Sequence, residues 1–270
     1  VICTYALCKG QSQQLLMTRL TIGYSALSDR VAGIKPPEGD FDLLLVVQND
    51  GALSWKDKLP DALKGSRAVT DELKSLGVAK SRNRVIELSE TDYLVFADDD
   101  IEFNDSGLKE VIDYLDANQG VALVLAQATD HSGKLRKPYP SKEEKLTKLN
   151  SARAATYEMV IRVSAIKDLG IRFDESFGAG VENYLGDEYI FVADLLSAGG
   201  KAVFLPIPIA THPEVSSGSG WGTDRDRIAR AKVFNRVFGA LAPVVRLAFG
   251  VRRLALIGGV ANLLRFVFGR

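Results

Sequence analysis

The chain has 270 residues, 46% hydrophobic and 25% charged, with a formal net charge of zero. That is ordinary globular composition, enough for one large core or one domain with an appendage, and the chain shows no internal repeat and no low-complexity stretch. The zero conceals an asymmetry: no acidic residue follows Asp226, and nine basic residues from Arg227 to Arg270 leave the body at minus nine. Such a split points to a tail with its own partner. The two cysteines, Cys3 and Cys8, lack metal spacing and give no disulfide framework, which fits a reducing compartment. No basic segment precedes the apolar run at Val1, so no signal peptide is expected.

In chain order, Val1 to Tyr5 predicts a first strand. Gln13 to Leu27 carries apolar residues at helical spacing and predicts a helix. Phe41 to Val47 is too apolar to have a wet face and predicts a buried strand, ended by turn chemistry at Gln48-Asn49-Asp50-Gly51. A helix over Val78 to Leu88 opens after Gly77. A strand follows at Tyr93 to Ala97, a helix at Ser106 to Leu115 and a strand at Val121 to Gln127. Residues 128 to 150 are polar and rich in Lys and Pro, a surface excursion. Glu158 to Val163 resumes a strand and Gly186 to Ala198 a helix. Ala202 to Leu205 and Ile207 to Thr211 are extended around Pro206 and Pro208. Strands alternating with helices imply a mainly parallel sheet with helices on both faces. No glycine-rich Rossmann fingerprint and no P-loop sequence follows any strand.

The most informative feature is Asp98-Asp99-Asp100 at the end of the apolar run Tyr93 to Ala97. Buried strands of α/β proteins place ligand sites at their carboxyl ends. Three crowded carboxylates repel one another and lose hydration, and a divalent cation offsets that cost most simply. Carboxylate oxygens suit Mg²⁺ or Mn²⁺, which in turn hold phosphate oxygens. A solvated acidic turn is the plainer alternative. Further on, Gly186-Asp187-Glu188 opens a helix, where two acids in the first turn also meet the helix dipole favourably.

Several pieces together resemble inverting glycosyltransferases of the GT-A fold, of the large family-2 type, over roughly residues 1 to 222. The pieces are Ile2-Cys3-Thr4-Tyr5, the strand ending Val46-Val47-Gln48-Asn49-Asp50, Gly77-Val78-Ala79-Lys80-Ser81-Arg82-Asn83, the acidic triplet, and Phe173-Asp174-Glu175-Ser176-Phe177 leading to Gly186-Asp187-Glu188. The resemblance implies that Asp98-x-Asp100 is a DxD element, with Asp100 on the metal and Asp98 on the metal or the ribose. It implies that Arg82 and Asn83 line the nucleotide pocket, and that Asn49 or Asp50 reads the base. The family usually shows acids at that last place, so Gln48-Asn49 leaves the base open. Thr4, Tyr5 and Asp99 join the expected nucleotide-sugar contacts. Lys80 and Arg84 read better as an exposed basic helix face. The second acid of the family's Gly-Glu-Asp element is the general base; here the acids are exchanged, so Glu188 is the first candidate and Asp187 the second. Thr211-His212-Pro213 follows a strand, and some GT-A enzymes take a third metal ligand from such a place. His212 is therefore a candidate ligand or phosphate contact, whereas His131 has no comparable context. Ser216 to Trp221 resembles a mobile loop with Trp221 as a sugar-stacking platform; a plain linker is the alternative.

The tail, residues 227–270, follows a catalytic domain expected over 1–226. Phe234, Val237, Phe238 and Leu241 fall at helical spacing, as do Leu254, Ile257, Ala261, Leu264 and Phe268. Pro243 and Gly258-Gly259 divide it into two or three helices. Its longest charge-free stretch, Leu254 to Leu264, is too short to span a bilayer. Basic amphipathic helices lie in the membrane interface, drawn by anionic lipid. Packing on the body or on a second subunit is the alternative, and the tail is too apolar for a nucleic-acid arm.

The expectation is a metal-dependent inverting glycosyltransferase using Mg²⁺ or Mn²⁺. It would move a sugar from a nucleoside-diphosphate donor to a hydroxyl of a lipid-linked or polysaccharide acceptor, in surface polysaccharide or glycolipid synthesis. It would sit peripherally on the cytoplasmic face of a membrane, most naturally a bacterial one. The rivals are a sugar nucleotidyltransferase, which expects a glycine- and arginine-rich phosphate loop that Ala6-Leu7-Cys8-Lys9-Gly10 hardly supplies, and a catalytically silent, membrane-bound nucleotide-sugar-binding protein.

Overall fold

The computed structural model describes residues 19–49, 51, 54–213 and 223–269. The strand expected at Val1 to Tyr5 and the loop at Ser216 to Trp221 lie outside the described residues. In chain order the elements are β1 (Leu20–Leu27), β2 (Asp42–Gln48), β3 (Ala68–Leu73), α1 (Val78–Leu88), β4 (Tyr93–Ala97), β5 (Glu102–Phe103), α2 (Asp105–Ala117), β6 (Val121–Thr129), β7 (Glu144–Lys145), β8 (Met159–Arg162), α3 (Val163–Asp168), α4 (Asp187–Ser197), β9 (Lys201–Thr211), α5 (Asp224–Phe238), α6 (Ala242–Arg252), α7 (Leu254–Ile257) and α8 (Val260–Phe268). The strands form one sheet ordered β3-β2-β1-β4-β8-β6-β9-β5, with β7 added on β9.

The longer ladders are parallel: β1 pairs with β2 and β4, β2 with β3, and β6 with β9. The short β8 runs antiparallel between β4 and β6. Two antiparallel steps restore direction, so β6 and β9 end at the same edge as β1 and β4. That topology brings residues near 28, 98, 130 and 212 to one rim. Alternate residues of the central strands feed two cores. Leu45, Val47, Tyr93 and Val95 face α2, whereas Leu44, Val46, Leu94 and Phe96 face α1 and α4. Helices therefore cover both faces, as the alternation of elements implied.

The helix expected over Gln13 to Leu27 is corrected: Leu20–Leu27 is a central strand, buried on both faces apart from its last residue. A strand covered on both sides reads as a near-continuous apolar run, which hides its period of two and mimics a helix. Gly23 shows how close the layers are, since a Cβ there would lie 2.2 Å from Val85 Cγ1 of α1. The two extended segments around Pro206 and Pro208 are one strand, β9, whose register against β6 shifts near Gln127. A proline cannot donate to the ladder, and the irregularity absorbs the missing bonds. The excursion at 128–150 is tied to the body: β7 pairs with β9, and Leu146 is buried. The partly exposed β3 went unread because its residues alternate poorly.

The tail is helical throughout α5 to α8, and the domain boundary expected after Asp226 falls inside α5. A capping box between Thr223 and Asp226 starts α5. The helix packs on α4 through Val233 and Val237 against Tyr189, Ile190 and Phe177. Arg236 clamps it by two bonds to Asp194 (3.0 and 2.7 Å) and one to Asp174 (2.8 Å). Helices α6 to α8 close a second small core with Phe234, Ile257, Leu263 and Phe266. By length and composition alone, the run Asp224–Arg252 is long and apolar enough to cross a membrane, with mean hydropathy 1.3 over its most apolar 18 residues. Gly239, with φ +53°, breaks that run, and its α5 half is already committed to the body.

Candidate active site

Asp98 leaves the end of β4, and Asp187 and Glu188 open α4, 89 residues later in the chain. One side chain joins them. Arg82, on α1, donates from Nη2 to Asp98 Oδ1 (3.1 Å) and from Nη1 to Asp187 Oδ2 (2.5 Å), with Glu188 Oε1 at 3.6 Å. Its side chain is only 5% exposed. Beneath it lies an aromatic floor: the guanidinium sits 5.7 Å from the Phe173 ring, which meets Phe96 edge-on at 5.3 Å and stacks on Phe191 at 4.4 Å. Burial works against the charge on Arg82, but Asp98, Asp187 and Glu188 more than offset it, so the guanidinium stays charged.

Three acids share that one cation. Asp187 takes its strongest bond and is itself buried. Glu188 is 22% exposed and accepts from the Thr156 hydroxyl at 2.8 Å. Burial, reinforced by Asp187, raises the Glu188 pKa well above the ordinary carboxylate range, with Arg82 opposing. Of the two acids, Glu188 is the one with a free face and a raised pKa, as a general base working near neutrality requires. The turn that presents them depends on Gly186, which has φ +90° and whose Cβ would fall 2.5 Å from Val233 Cγ2 of α5.

The rim described above is a cleft of about 520 Å³, lined among others by Asp29, Arg30, Asp99, Asp100 and Glu102. Burial, with repulsion from Asp100 and Asp98, raises the Asp99 pKa to about 6, while Arg30 at 3.5 Å opposes it. His212 is buried at the end of β9, its Nε2 3.9 Å from Asp100 Oδ1. Its Nδ1 lies 2.6 Å from the Pro213 carbonyl, which can only accept. The neutral ring must then carry its proton on Nδ1 and turn an Nε2 lone pair toward Asp100.

Among the described residues no group of three or more His, Cys, Asp or Glu side chains forms a metal cluster. The two facing donors are still compatible with one ion. Ligands about 2.1 Å from a Mg²⁺-like ion stand roughly 3 to 4 Å apart, and such ions take few protein ligands and complete their shell with phosphate oxygens and water. Asp100 and His212 would hold it.

Other expected contacts are placed differently. Arg82 is turned into the protein, onto the acids. Asn83 is buried, and its amide is taken by the Phe173 backbone (2.8 and 3.0 Å) and by Glu175, so it pins residues 173–175 instead of lining a pocket. Asn49 is buried and donates to Glu72 of β3 at 2.7 Å. Arg84 pairs with Asp71 and Glu87 on the helix surface, as the plainer reading had it. Thr4, Tyr5, Asp50 and Trp221 lie outside the described residues. Arg30, Thr156 and Tyr157 carry no signal in the sequence, and His131, set aside above for want of context, is corrected. His131 lines the cleft two residues beyond β6, so following that strand to its end would have found it.

Comparison with known proteins agrees with this fold. Residues 46–170 match the model of the family described as Glycosyl transferase family 2. In overall fold the chain is similar to TarS 1–349 of S. aureus solved with UDP-GlcNAc, with TM-score 0.55, 14% identity, and 93% of this chain and 82% of that one covered. It is likewise similar to TarS 1–349 with UDP, with TM-score 0.53, 15% identity, and 93% and 81% covered. No curated protein sequence matches the chain. The fold is that of the GT-A glycosyltransferases. Within it, residues 46–170 match the family 2 glycosyltransferase model, and the protein is a glycosyltransferase.

Proposed function

We propose that the protein transfers a sugar, with inversion, from a nucleoside-diphosphate donor to an acceptor hydroxyl. The observation that carries this is Arg82: one buried guanidinium links the acid at the end of β4 with the acids that open α4. Donor-side and acceptor-side groups are thereby held in one rigid unit. In the reaction the acceptor oxygen attacks the anomeric carbon from the face opposite the diphosphate, and the carbon–oxygen bond to the diphosphate breaks with its electron pair. Glu188 takes the acceptor's proton. A Mg²⁺ or Mn²⁺ ion, when bound, would neutralise charge gathering on the diphosphate. Arg30, exposed at the mouth of the cleft, is placed to attract the donor's phosphates.

TarS was solved with UDP and with UDP-GlcNAc, so UDP is the first nucleotide to try. A thermal-shift series of nucleoside diphosphates with and without Mn²⁺ tests the reading. One nucleotide raises the melting temperature, more so with the metal, because ligands that bind only the folded state stabilise it. A flat series refutes it.

The tail supports a membrane-bound acceptor. Helix α6 exposes Val244, Leu247 and Val251 on one stripe, and α8 exposes Val260, Leu264 and Phe268 on another. Arg252, Arg253 and Arg265 are exposed among them, and residues 227–270 contain no acid to neutralise them. An anionic leaflet, met at the cytoplasmic face, satisfies both features. Residues 227–270 then act as a docking unit for the catalytic body 1–226, fixed to it through α5. The double substitution Leu264→Glu/Phe268→Glu, at sites 52% and 70% exposed, abolishes co-sedimentation with phosphatidylglycerol vesicles and leaves the melting temperature unchanged. Unaltered sedimentation would remove the membrane from the proposal.

A further inference from the structure

The short 3-10 turn Thr156–Glu158 touches both halves of the reaction centre, and nothing in the family match singles it out. It packs against β4, β6 and β9, and all three of its residues are buried. Thr156 donates its hydroxyl to Glu188 Oε1 at 2.8 Å. The next ring, Tyr157, stacks on His212 with centroids 4.8 Å apart and planes at 25°. The third residue anchors the other two. Glu158 is fully buried, accepts from the Tyr139 hydroxyl at 2.5 Å, and pairs with Lys137 at 2.8 Å.

We propose that this turn is a positioning element which sets the base and the metal-side histidine together: Thr156 fixes the rotamer of Glu188, and Tyr157 fixes the plane of His212. The inference rests on the function proposed above and deepens it. A carboxylate in the first turn of a helix has several rotamers open to it. A hydroxyl donor on one oxygen selects one rotamer and leaves the other oxygen for an acceptor proton. Arg82 cannot do this for Glu188, because at 3.6 Å it is spent on Asp98 and Asp187. Likewise the Pro213 carbonyl sets which nitrogen of His212 is protonated, but a hydrogen bond in the ring plane permits tilting. The face of Tyr157 removes that freedom. Two adjacent residues thus give each half of the centre its own support on one rigid turn.

The adjacency makes the test a double dissociation. Thr156→Val keeps the side-chain shape and deletes the donor. It lowers kcat about tenfold with donor KM unchanged, and Thr156→Ser restores kcat. Manganese binding to the protein, read from the electron paramagnetic resonance of free Mn²⁺ with no donor present, is unchanged in both variants. Tyr157→Leu weakens that manganese binding several-fold, and Tyr157→Phe, which keeps the ring, preserves it. The inference is overturned if Thr156→Val and Tyr157→Leu move turnover and manganese binding in the same proportion, as general loosening of the fold would, or if neither moves its own readout. A wild-type protein that consumes no donor refutes the proposed function and the Thr156 half with it. The Tyr157 half is still decided by the resonance measurement.

Discussion

Glu188→Gln lowers kcat by about 10²–10⁴-fold, the usual worth of a general base, while the nucleotide thermal shift persists. Glutamine keeps the volume and still accepts from Thr156, so the centre stays assembled and only the proton acceptor is lost. Asp187→Asn acts differently. Asp187 is sealed against Arg82, so its change loosens the centre and reduces stability as well as rate. Initial rates and melting curves of both variants separate the two roles. Equal losses of turnover with equal losses of stability would rule out Glu188 as the base.

The pH dependence follows from the same group. Burial lifts the Glu188 pKa to about 7, and a base works only when deprotonated. Turnover therefore falls as pH drops through about 7. Stability runs the other way. An unfolded glutamate ionises near pH 4.3, so the folded state is penalised progressively between there and about 7, and fully above. Glu188→Gln removes that penalty. The variant melts higher than the wild type at pH 8, and the gain shrinks toward pH 5. A variant that melts lower at pH 8 would place Glu188 in a very different environment.

Arg82→Leu has the largest expected effect on the fold. Removing one partner of a buried ion pair leaves uncompensated charge and costs about 3–5 kcal/mol. Here one cation is lost and three acids remain. At roughly 2–4 °C per kcal/mol for a domain of this size, the melting temperature falls by about 10 °C. Arg82→Leu/Asp187→Leu recovers part of the loss, because an apolar pair over the Phe173 floor no longer strands a charge. At a temperature where Arg82→Leu is folded, its acid limb of activity moves to higher pH, since Arg82, ahead of the hydrogen bonds from the Glu188 backbone and Thr156, holds the Glu188 pKa down. Calorimetry of the single and double variants, with a pH–rate profile, checks each part. An unchanged melting temperature would show that the three acids do not depend on Arg82.

Much of this was legible in the sequence where local chemistry decides it. Helix α1 and strand β4 have the expected limits, because Gly77 and the polar residues around Tyr93 to Ala97 punctuate them. The acidic triplet and Gly186-Asp187-Glu188 stood out because carboxylates at strand and helix ends are costly without a use. Strand β1 was misread because burial on both faces erases its alternation. Thr156 and Tyr157 gave no signal, since a threonine and a tyrosine before a strand look like core. They matter only through Glu188 and His212, 32 and 55 positions further on.

The sequence by itself determined the alternating α/β plan from α1 onward, the acids at the end of β4 and the start of α4, and a tail with basic residues but no acid after Asp226. These are written in runs of neighbouring residues, where side-chain type and backbone propensity act over a few positions. Tertiary structure alone decided that two antiparallel steps, through β8, bring His212 back beside Asp100, that Arg82 serves the acids from within, and that Glu188 keeps the free face while Asp187 is sealed. Those outcomes depend on which distant groups share one low-dielectric volume, and no local pattern encodes that.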